Sequence, residues 1–258
     1  MEVLGAFDLR DEPVDYAAVR CVPGGGMRHV SDAVQRESCF SIVVDGKPFA
    51  EVGCSAGALV DLAVGRLFTD GAIEGAGDVA RVFVNERDAA IEVGLAPAAR
   101  ERYAREGPRP LRPVRPIRWD AEWAFSMART FAEDKTSHRR TRGVHSVHLS
   151  TRAGEVACCR EDIGRHNAFD KAVGHALLAG VDLARCMAFL SGRVPLDMAE
   201  KAVRAGIPLV VSKAVATDRT VEFARACRLT LACSATPEGF DVLNDPGRFV
   251  TRRAVRTA

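Results

Sequence analysis

The fold of this chain is decided by residues 155–178, which read EVACCREDIGRHNAFDKAVGHALL. The apolar residues Val156–Cys159 predict a short buried strand, and the residues from Asn167 to Ala179 predict a helix. The thirteen residues Cys159–Lys171, which span the junction, carry eight ionisable side chains. A dense polar junction between a strand and a helix is a typical place for a ligand.

The helix start in this stretch has the features of an anion site. Asn167 is the predicted N-cap, and Asp170 stands three residues later, in the place of a capping-box acid. Gly164 allows a tight turn. The free N–H groups of the first helical turn, beside Arg165 and His166, favour an anion such as phosphate. The alternative is a well-capped helix whose charges are simply solvated.

The second half of the chain alternates short apolar runs with helical segments. This pattern predicts an α/β fold, in which helices cover both faces of a mostly parallel sheet. The predicted strands are 146–150, 156–159, 186–190, 207–211 and 229–233, and the predicted helices are 121–134, 167–179, 197–205 and 218–227.

Polar residues follow four of these strands, at the position where ligands of parallel sheets bind. They are Arg160 and Asp162, then Ser191, Gly192 and Arg193, then Ser212 and Lys213, and finally Ser234 and Thr236. Three of the four groups contain a cation, so a phosphorylated or nucleotide-like ligand is predicted. Each residue taken alone is also explained as a polar strand end.

The first half predicts a smaller α+β unit. A hairpin is predicted over 39–52 with its turn at Asp45-Gly46, followed by a helix over 58–68 and strands over 79–84 and 90–93. Residues 1–30 read as irregular. The prolines of the following Pro/Arg stretch favour an extended linker. The predicted division is an N-terminal domain at 1–106, a linker at 107–120 and the α/β domain at 121–258.

Composition narrows the function classes. The chain has 258 residues, 47% of them hydrophobic and 27% charged, and a formal net charge of +2. So small a net charge argues against nucleic acid, and the basic runs Lys135–Arg142 and Arg248–Arg256 are expected to be solvated surface. The first ten residues lack signal-peptide character, and no window reaches the length of a membrane span. We therefore expect a cytoplasmic protein without membrane contact.

Eight cysteines contain no C-x-x-C pair, so neither a zinc ribbon nor a redox dithiol is predicted. The zinc-deaminase pattern, H-x-E followed by P-C-x-x-C, is also missing. We expect no metal site, and we expect most cysteines to be small buried apolar residues.

The junction and several later segments together resemble FdhD, the formate dehydrogenase accessory sulfurtransferase family. The resemblance lies in 160–171, 191–193, 201–202, 205–208 and 211–213, and more weakly in 44–48 and 61–73. It implies a small N-terminal domain and a cytidine-deaminase-like three-layer sandwich without zinc. It also implies a cytoplasmic homodimer that binds the bis-guanine-dinucleotide form of the molybdenum cofactor. Members take persulfide sulfur from a cysteine desulfurase and activate a formate dehydrogenase-type molybdoenzyme.

The resemblance assigns roles to the junction residues. Arg165, His166 and the helix start at Asn167 are expected to take phosphate, with Ser191, Gly192, Arg193 and Lys213 at neighbouring strand ends. Asp162 and Asp170 are expected to orient cations rather than touch an anionic ligand.

Two departures from the family pattern leave the mechanism open. The family's sulfur-carrying C-x-x-C loop belongs near 100–120, but no cysteine lies between Cys54 and Cys158. Residues 234–239 lack the arginines expected of a cofactor-contacting segment and contain Glu238. Cys159, beside Arg160, and Cys54 are the candidates for a relocated sulfur carrier. The open alternatives are a carrier, a sulfurtransferase with a moved cysteine, a divergent enzyme and an interaction protein.

Overall fold

A computed structural model describes residues 1–5, 11–133, 141–247 and 249. Both basic runs named above lie for the most part outside these residues. In the N-terminal half the strands are β1 (Glu2–Gly5), β2 (Val14–Val22), β3 (Gly26–Val34), β4 (Ser38–Val44), β5 (Lys47–Cys54), β6 (Val79–Asn85) and β7 (Ala90–Leu95). The helices of this half are α1 (Leu59–Thr69) and α2 (Pro97–Glu106), with a 3₁₀ turn at Ala76–Asp78.

In the C-terminal half the strands are β8 (His145–Arg152), β9 (Glu155–Asp162), β10 (Met187–Leu190), β11 (Leu209–Ser212), β12 (Thr230–Cys233) and β13 (Asp241–Asn244). The helices are α3 (Ala121–Glu133), α4 (Arg165–Leu178), α5 (Leu196–Arg204) and α6 (Asp218–Ala226), with a 3₁₀ turn at Leu183–Arg185. None of the described helices is long and apolar enough to cross a membrane.

The N-terminal sheet has the strand order β1-β6-β7-β4-β5. The predicted hairpin is confirmed: Asp45 and Gly46 both have positive φ, 49° and 76°, as the central residues of a type I′ turn require. The predicted helix and the two later strands of this half are confirmed as α1, β6 and β7.

The expectation that residues 1–30 are irregular is wrong. β1 joins the sheet beside β6, and β2 and β3 form a hairpin that turns at Gly24-Gly25. Both faces of this hairpin are largely exposed, so its strands lack the alternation of apolar and polar residues that marks a half-buried strand.

The C-terminal sheet has the order β13-β12-β11-β10-β8-β9. Two of its five strand pairs, β10–β11 and β11–β12, are parallel and the other three are antiparallel, so the prediction of a mostly parallel sheet is wrong. β8 and β9 are joined by the two-residue turn Ala153-Gly154, a connection that only antiparallel strands can have. β8 is also antiparallel to β10, so β9 points the same way as β10 and ends at the same sheet edge.

Helices cover both faces of this sheet. The face that carries Phe189 and Val211 packs against Trp123 and Met127 of α3. The opposite face packs against α4, α5 and α6 through residues such as Phe169, Val173, Met198, Ala202 and Ala224. The C-terminal half is therefore a three-layer α/β/α unit.

The two halves meet where α1 crosses α4. A Cβ atom at Gly65 would lie 1.7 Å from the Asp170 carbonyl oxygen, and one at Gly174 would lie 1.9 Å from that of Asp61. Only glycine permits this approach, and one hydrophobic core runs through both halves. Residues 107–118, after α2, form neither helix nor strand, and Val114 N donates to Cys227 O at 2.9 Å. The domain boundary at 107–120 stays a prediction.

Candidate functional site

The helix α4 begins at Arg165 with Gly164 as its N-cap, so the assignment of Asn167 as N-cap and Asp170 as capping-box acid is wrong. Asn167 lies inside the first turn, where its Nδ2 donates to Gly53 O at 2.8 Å and to Asp162 Oδ1 at 3.0 Å. Asp162 Oδ1 also accepts Gly164 N at 2.9 Å. Asp162 Oδ1 therefore binds the N-cap residue Gly164 and the side chain of Asn167, and the backbone N–H groups of the first turn receive no side-chain cap among the described residues.

Asp162 is fully buried against Lys171. Its Oδ2 atom lies 2.6 Å from Lys171 Nζ and accepts Ser55 N at 3.1 Å. Lys171 in turn donates to Ser55 O at 2.9 Å. The cation that Asp162 binds is therefore not one of those expected to take phosphate but the buried Lys171, which joins α4 to the end of β5.

Asp170, one helical turn after Asn167, also binds a buried lysine. Both of its carboxylate oxygens lie 2.9 Å from Lys201 Nζ, and Thr69 Oγ1 donates to Oδ1 at 2.6 Å. Burial raises the pKa of Asp170, and the Lys201 cation and the Thr69 hydroxyl partly oppose that rise. This carboxyl faces the interior. It does not reach the rim, which is the edge of the sheet where β9, β10, β11 and β12 end.

Arg165 and Gly192 form the centre of the rim. A Cβ atom at Gly192 would lie 3.3 Å from Arg165 Cβ and 3.1 Å from His145 Nδ1, so the loop passes closely between these two side chains. Arg165 Nε is buried and has no hydrogen-bond partner in the described part of the chain. Ser191 Oγ accepts Ser146 N at 3.0 Å and lies 3.2 Å from His145 Nδ1.

His166 faces a different space from Arg165. Its Nε2 atom lies 2.9 Å from Asp197 Oδ2. Burial alone would raise the pKa of Asp197, but His166, the Met198 N–H and Arg165 outweigh it, and the pKa lies below its usual value. Both side chains line a cavity of about 410 Å³ between β5, α1, α4 and α5.

The later strand ends contribute unequally to the rim. Ser212 is buried, and its hydroxyl donates to Gly192 O at 2.7 Å, which fixes the loop beside Arg165. Arg193 and Lys213 are exposed, and Lys213 Nζ lies 5.5 Å from the Phe131 ring centroid. Ser234 is half-buried with a φ of 55°.

Thr236 and Arg160 have partners away from this centre. The Thr236 hydroxyl accepts the N–H groups of Glu238 and Gly239, both at 3.2 Å, and closes a turn. Arg160 Nε donates to Asp61 Oδ2 at 2.8 Å, and its NH2 lies 2.6 Å from His175 Nδ1. The structure thus brings together Arg165, Ser191, Gly192 and Ser212, and it directs Arg160 towards α1.

The two candidate cysteines differ in accessibility. Cys54 has no exposed surface, and burial, reinforced by Asp162, raises the pKa of its thiol to about 12. Cys159 is half-buried, and its Sγ lies 3.2 Å from His148 Nε2. Arg160 points to the opposite face of the sheet. There its charge lowers the pKa of Cys158 and partly opposes the rise caused by burial. Five of the eight cysteines are buried, which confirms the expectation for most of them.

Sequence reasoning missed three residues that shape the site: His145, Lys171 and Lys201. His145 is the first residue of β8, which is antiparallel to both of its neighbours. It was missed because the rule that ligands bind at the carboxyl ends of strands considers only the last residues of a strand (the carboxyl-edge rule). Lys171 and Lys201 were given no role from the sequence, but each lies on a buried helix face with a buried apolar residue three positions before it, Ala168 and Met198 respectively. Within the described residues, no group of three or more His, Cys, Asp and Glu side chains is placed to hold a metal.

Comparison with known proteins identifies the family of this chain. The model of the FdhD/NarQ family matches residues 35–250. The chain is 28% identical over 243 residues to the sulfur carrier protein FdhD of Shouchella clausii, covering 85% of this chain and 91% of that protein. It is 33% identical over 247 residues to the protein of the same name from Anaeromyxobacter dehalogenans, covering 81% and 84%.

A solved structure has the same fold. A crystal structure from Desulfotalea psychrophila, described as that of a formate dehydrogenase accessory protein, superposes with a TM-score of 0.79. The match covers 93% of this chain and all of the other, at 24% sequence identity. With the family model matched over most of its length, this chain belongs to the FdhD/NarQ family.

Proposed function

We propose that this chain is a cytoplasmic accessory protein that carries the guanine-dinucleotide molybdenum cofactor, or its guanine nucleotide portion, to a formate dehydrogenase-type molybdoenzyme. Family membership supports the accessory role, since similar proteins are named sulfur carrier protein FdhD. The cofactor here is cargo, and the chain's own residues bind and orient it.

One observation carries the proposal: the unpaired Arg165 Nε beside Gly192 at the start of α4. A buried guanidinium N–H without a partner is costly, and an anion at the rim would satisfy it once the side chain turns outward. The first N–H groups of α4 have no carbonyl partner within the helix and favour a phosphate at the same place. The donor set therefore fits a nucleotide diphosphate.

The other rim residues would complete the site. Ser191 and Gly192 would form its wall, and the exposed Arg193 and Lys213 would add cations at its mouth. Ser234 and Thr236 lie at the end of the last parallel strand and would bound the site on that side. We further propose that the three-layer unit is of the cytidine-deaminase-like type and that the chain acts as a homodimer.

Sulfur transfer by this chain is the alternative, and the contact between Cys159 and His148 is the observation that favours it. The imidazole would take the thiol proton, and the thiolate would attack the outer sulfur of a persulfide on a cysteine desulfurase. The donor S–S bond would break, the donor would leave as a thiolate, and Cys159 would carry the new persulfide. Cys54 fits this role poorly, because a buried thiol of such high pKa stays protonated at neutral pH.

Calorimetry with GDP tests the carrier proposal. The wild-type chain should bind GDP, and Arg165→Ala should weaken binding roughly tenfold to a hundredfold, the value of one charge-assisted contact. Arg152→Ala is the matched control, since that arginine is exposed at the opposite end of β8. No binding to the wild type, or equal weakening in both variants, would overturn the site.

An interaction protein that keeps the pocket without using it is the third candidate. The exposed turn at 236–239 favours it, because it offers Glu238 and no arginine to an anion. A chain that folds normally but binds neither GDP nor persulfide sulfur would support this candidate over the carrier.

A further inference from the structure

A second cavity lies away from the rim, where the carboxyl ends of α1, α2 and α5 meet. It measures about 370 Å³, and residues 107–112 form one of its walls. Four arginines line it, together with two glutamates: Arg102, Arg109, Arg112, Arg204, Glu74 and Glu106.

The acidic groups of this cavity already have partners. Arg102 is paired with Asp78 and lies 3.6 Å from Glu74, and Glu106 lies 2.7 Å from Arg105, outside the cavity. Across the described ranges, no carboxylate lies within ion-pair distance of Arg109, Arg112 or Arg204. Three of the four arginines that line the cavity therefore have no carboxylate counter-charge in the described part of the chain.

Two of these arginines are held in place by carbonyl groups. Arg109 NH2 donates to Phe68 O at 2.8 Å, and its guanidinium lies 4.3 Å from the Phe68 ring centroid. Arg204 NH1 donates to Thr69 O at 3.3 Å. Burial lowers the pKa of Arg109; Glu74 partly opposes this, and the cations Arg204 and Arg102 reinforce it.

A purely structural role explains only part of this arrangement. Arg109 and Arg204 do cap the last carbonyl groups of α1, where a cation is favourable. This capping role does not account for Arg112, which lines the same cavity and is exposed. Arginines that share one cavity, three of them without a carboxylate partner among the described residues, favour an added anion.

We propose that this cavity binds a small phosphorylated molecule with at least two negative charges. Guanidinium groups match phosphate oxygens in pairs, and the volume is of the order of known small-molecule pockets, which begin at about 300 Å³. This site is separate from the rim around Arg165 and does not depend on the carrier proposal.

Calorimetry with inorganic pyrophosphate on the full chain tests the proposal. The wild type should bind it, and the affinity should fall as salt is raised. Arg112→Gln should weaken binding roughly tenfold, the loss expected for one charged contact, and Arg109→Gln should weaken it at least as much. Arg105→Gln, on the same helix as Arg102 but outside the cavity, should bind like the wild type.

Each outcome of these measurements either supports or overturns the proposal. Arg112 is exposed, so its variant should fold, and a circular dichroism melt confirms that for each variant. Arg165→Ala should leave pyrophosphate binding at the cavity unchanged, which separates this site from the rim. Absence of binding to the wild type, equal weakening by Arg105→Gln and Arg112→Gln, or loss of all binding in Arg165→Ala would overturn the proposal.

Discussion

Lys171 Nζ lies 2.6 Å from Asp162 Oδ2, and both side chains are almost completely buried. The pair joins the start of α4 to the Ser55 backbone at the end of the N-terminal sheet. The rim arginine Arg165 is thus positioned by an ion pair that never reaches solvent.

Breaking this pair should strongly destabilise the fold. Lys171→Met leaves the Asp162 carboxylate buried without its counter-charge, and such losses cost about 3 to 5 kcal/mol. Urea unfolding measures the change. The exposed pair of Arg152 and Glu155 is the control, because Arg152→Met should cost less than about 1 kcal/mol. Equal effects of the two substitutions would contradict a structural role for the buried pair.

The crossing of α1 and α4 should not tolerate a methyl group. Gly65→Ala places Cβ within 1.7 Å of the Asp170 carbonyl oxygen, so the helices must move apart. We expect a loss of at least about 1 to 3 kcal/mol in the free energy of unfolding. Gly75→Ala, whose new Cβ meets nothing within 4 Å, should leave stability nearly unchanged. A Gly65→Ala chain as stable as wild type would show that the helices do not touch as described.

Cys54 should resist alkylation in the folded chain. Its raised pKa, about 12, keeps the thiol protonated throughout the neutral range, and it has no exposed surface. Cys21 and Cys39 are exposed and should react first with iodoacetamide at pH 8. Peptide mass spectrometry assigns the labelled sites. Rapid modification of Cys54 would make it a candidate sulfur carrier again.

The chain should not replace a standard FdhD in a strain that lacks one. Residues 55–157 contain no cysteine, so the C-x-x-C loop that the resemblance implies near 100–120 has no counterpart here. Formate dehydrogenase activity in the complemented strain is the readout. If activity returns, a thiol of this chain does carry sulfur, and Cys159→Ala against Cys21→Ala shows whether the thiol beside His148 is responsible.

The sequence predicted most elements because local signals agreed with tertiary packing. The turn at Asp45-Gly46 and the alternation of strands with helices after residue 186 needed no knowledge of contacts. The β2–β3 hairpin was missed because both its faces are exposed, and strand direction at β8 and β9 depends on a turn of only two residues.

The site was predicted less completely, since its geometry depends on distant parts of the chain. That Arg165 faces Gly192 follows from the shared sheet edge, which the carboxyl-edge rule anticipated. That Asn167 binds Gly53 O, and that Arg160 binds Asp61, depends on how the N-terminal half docks on α4. The spacing of residues within 155–178 therefore does not indicate that Gly53 and Asp61 are the partners.

The most direct test of the carrier account is mass spectrometry of the small molecules released from the purified full-length chain. The account predicts a guanine nucleotide or a pterin guanine dinucleotide with the wild type and Arg152→Ala, and much less of it with Arg165→Ala. The same amount from all three chains, or none from the wild type, would contradict a cofactor site at the start of α4.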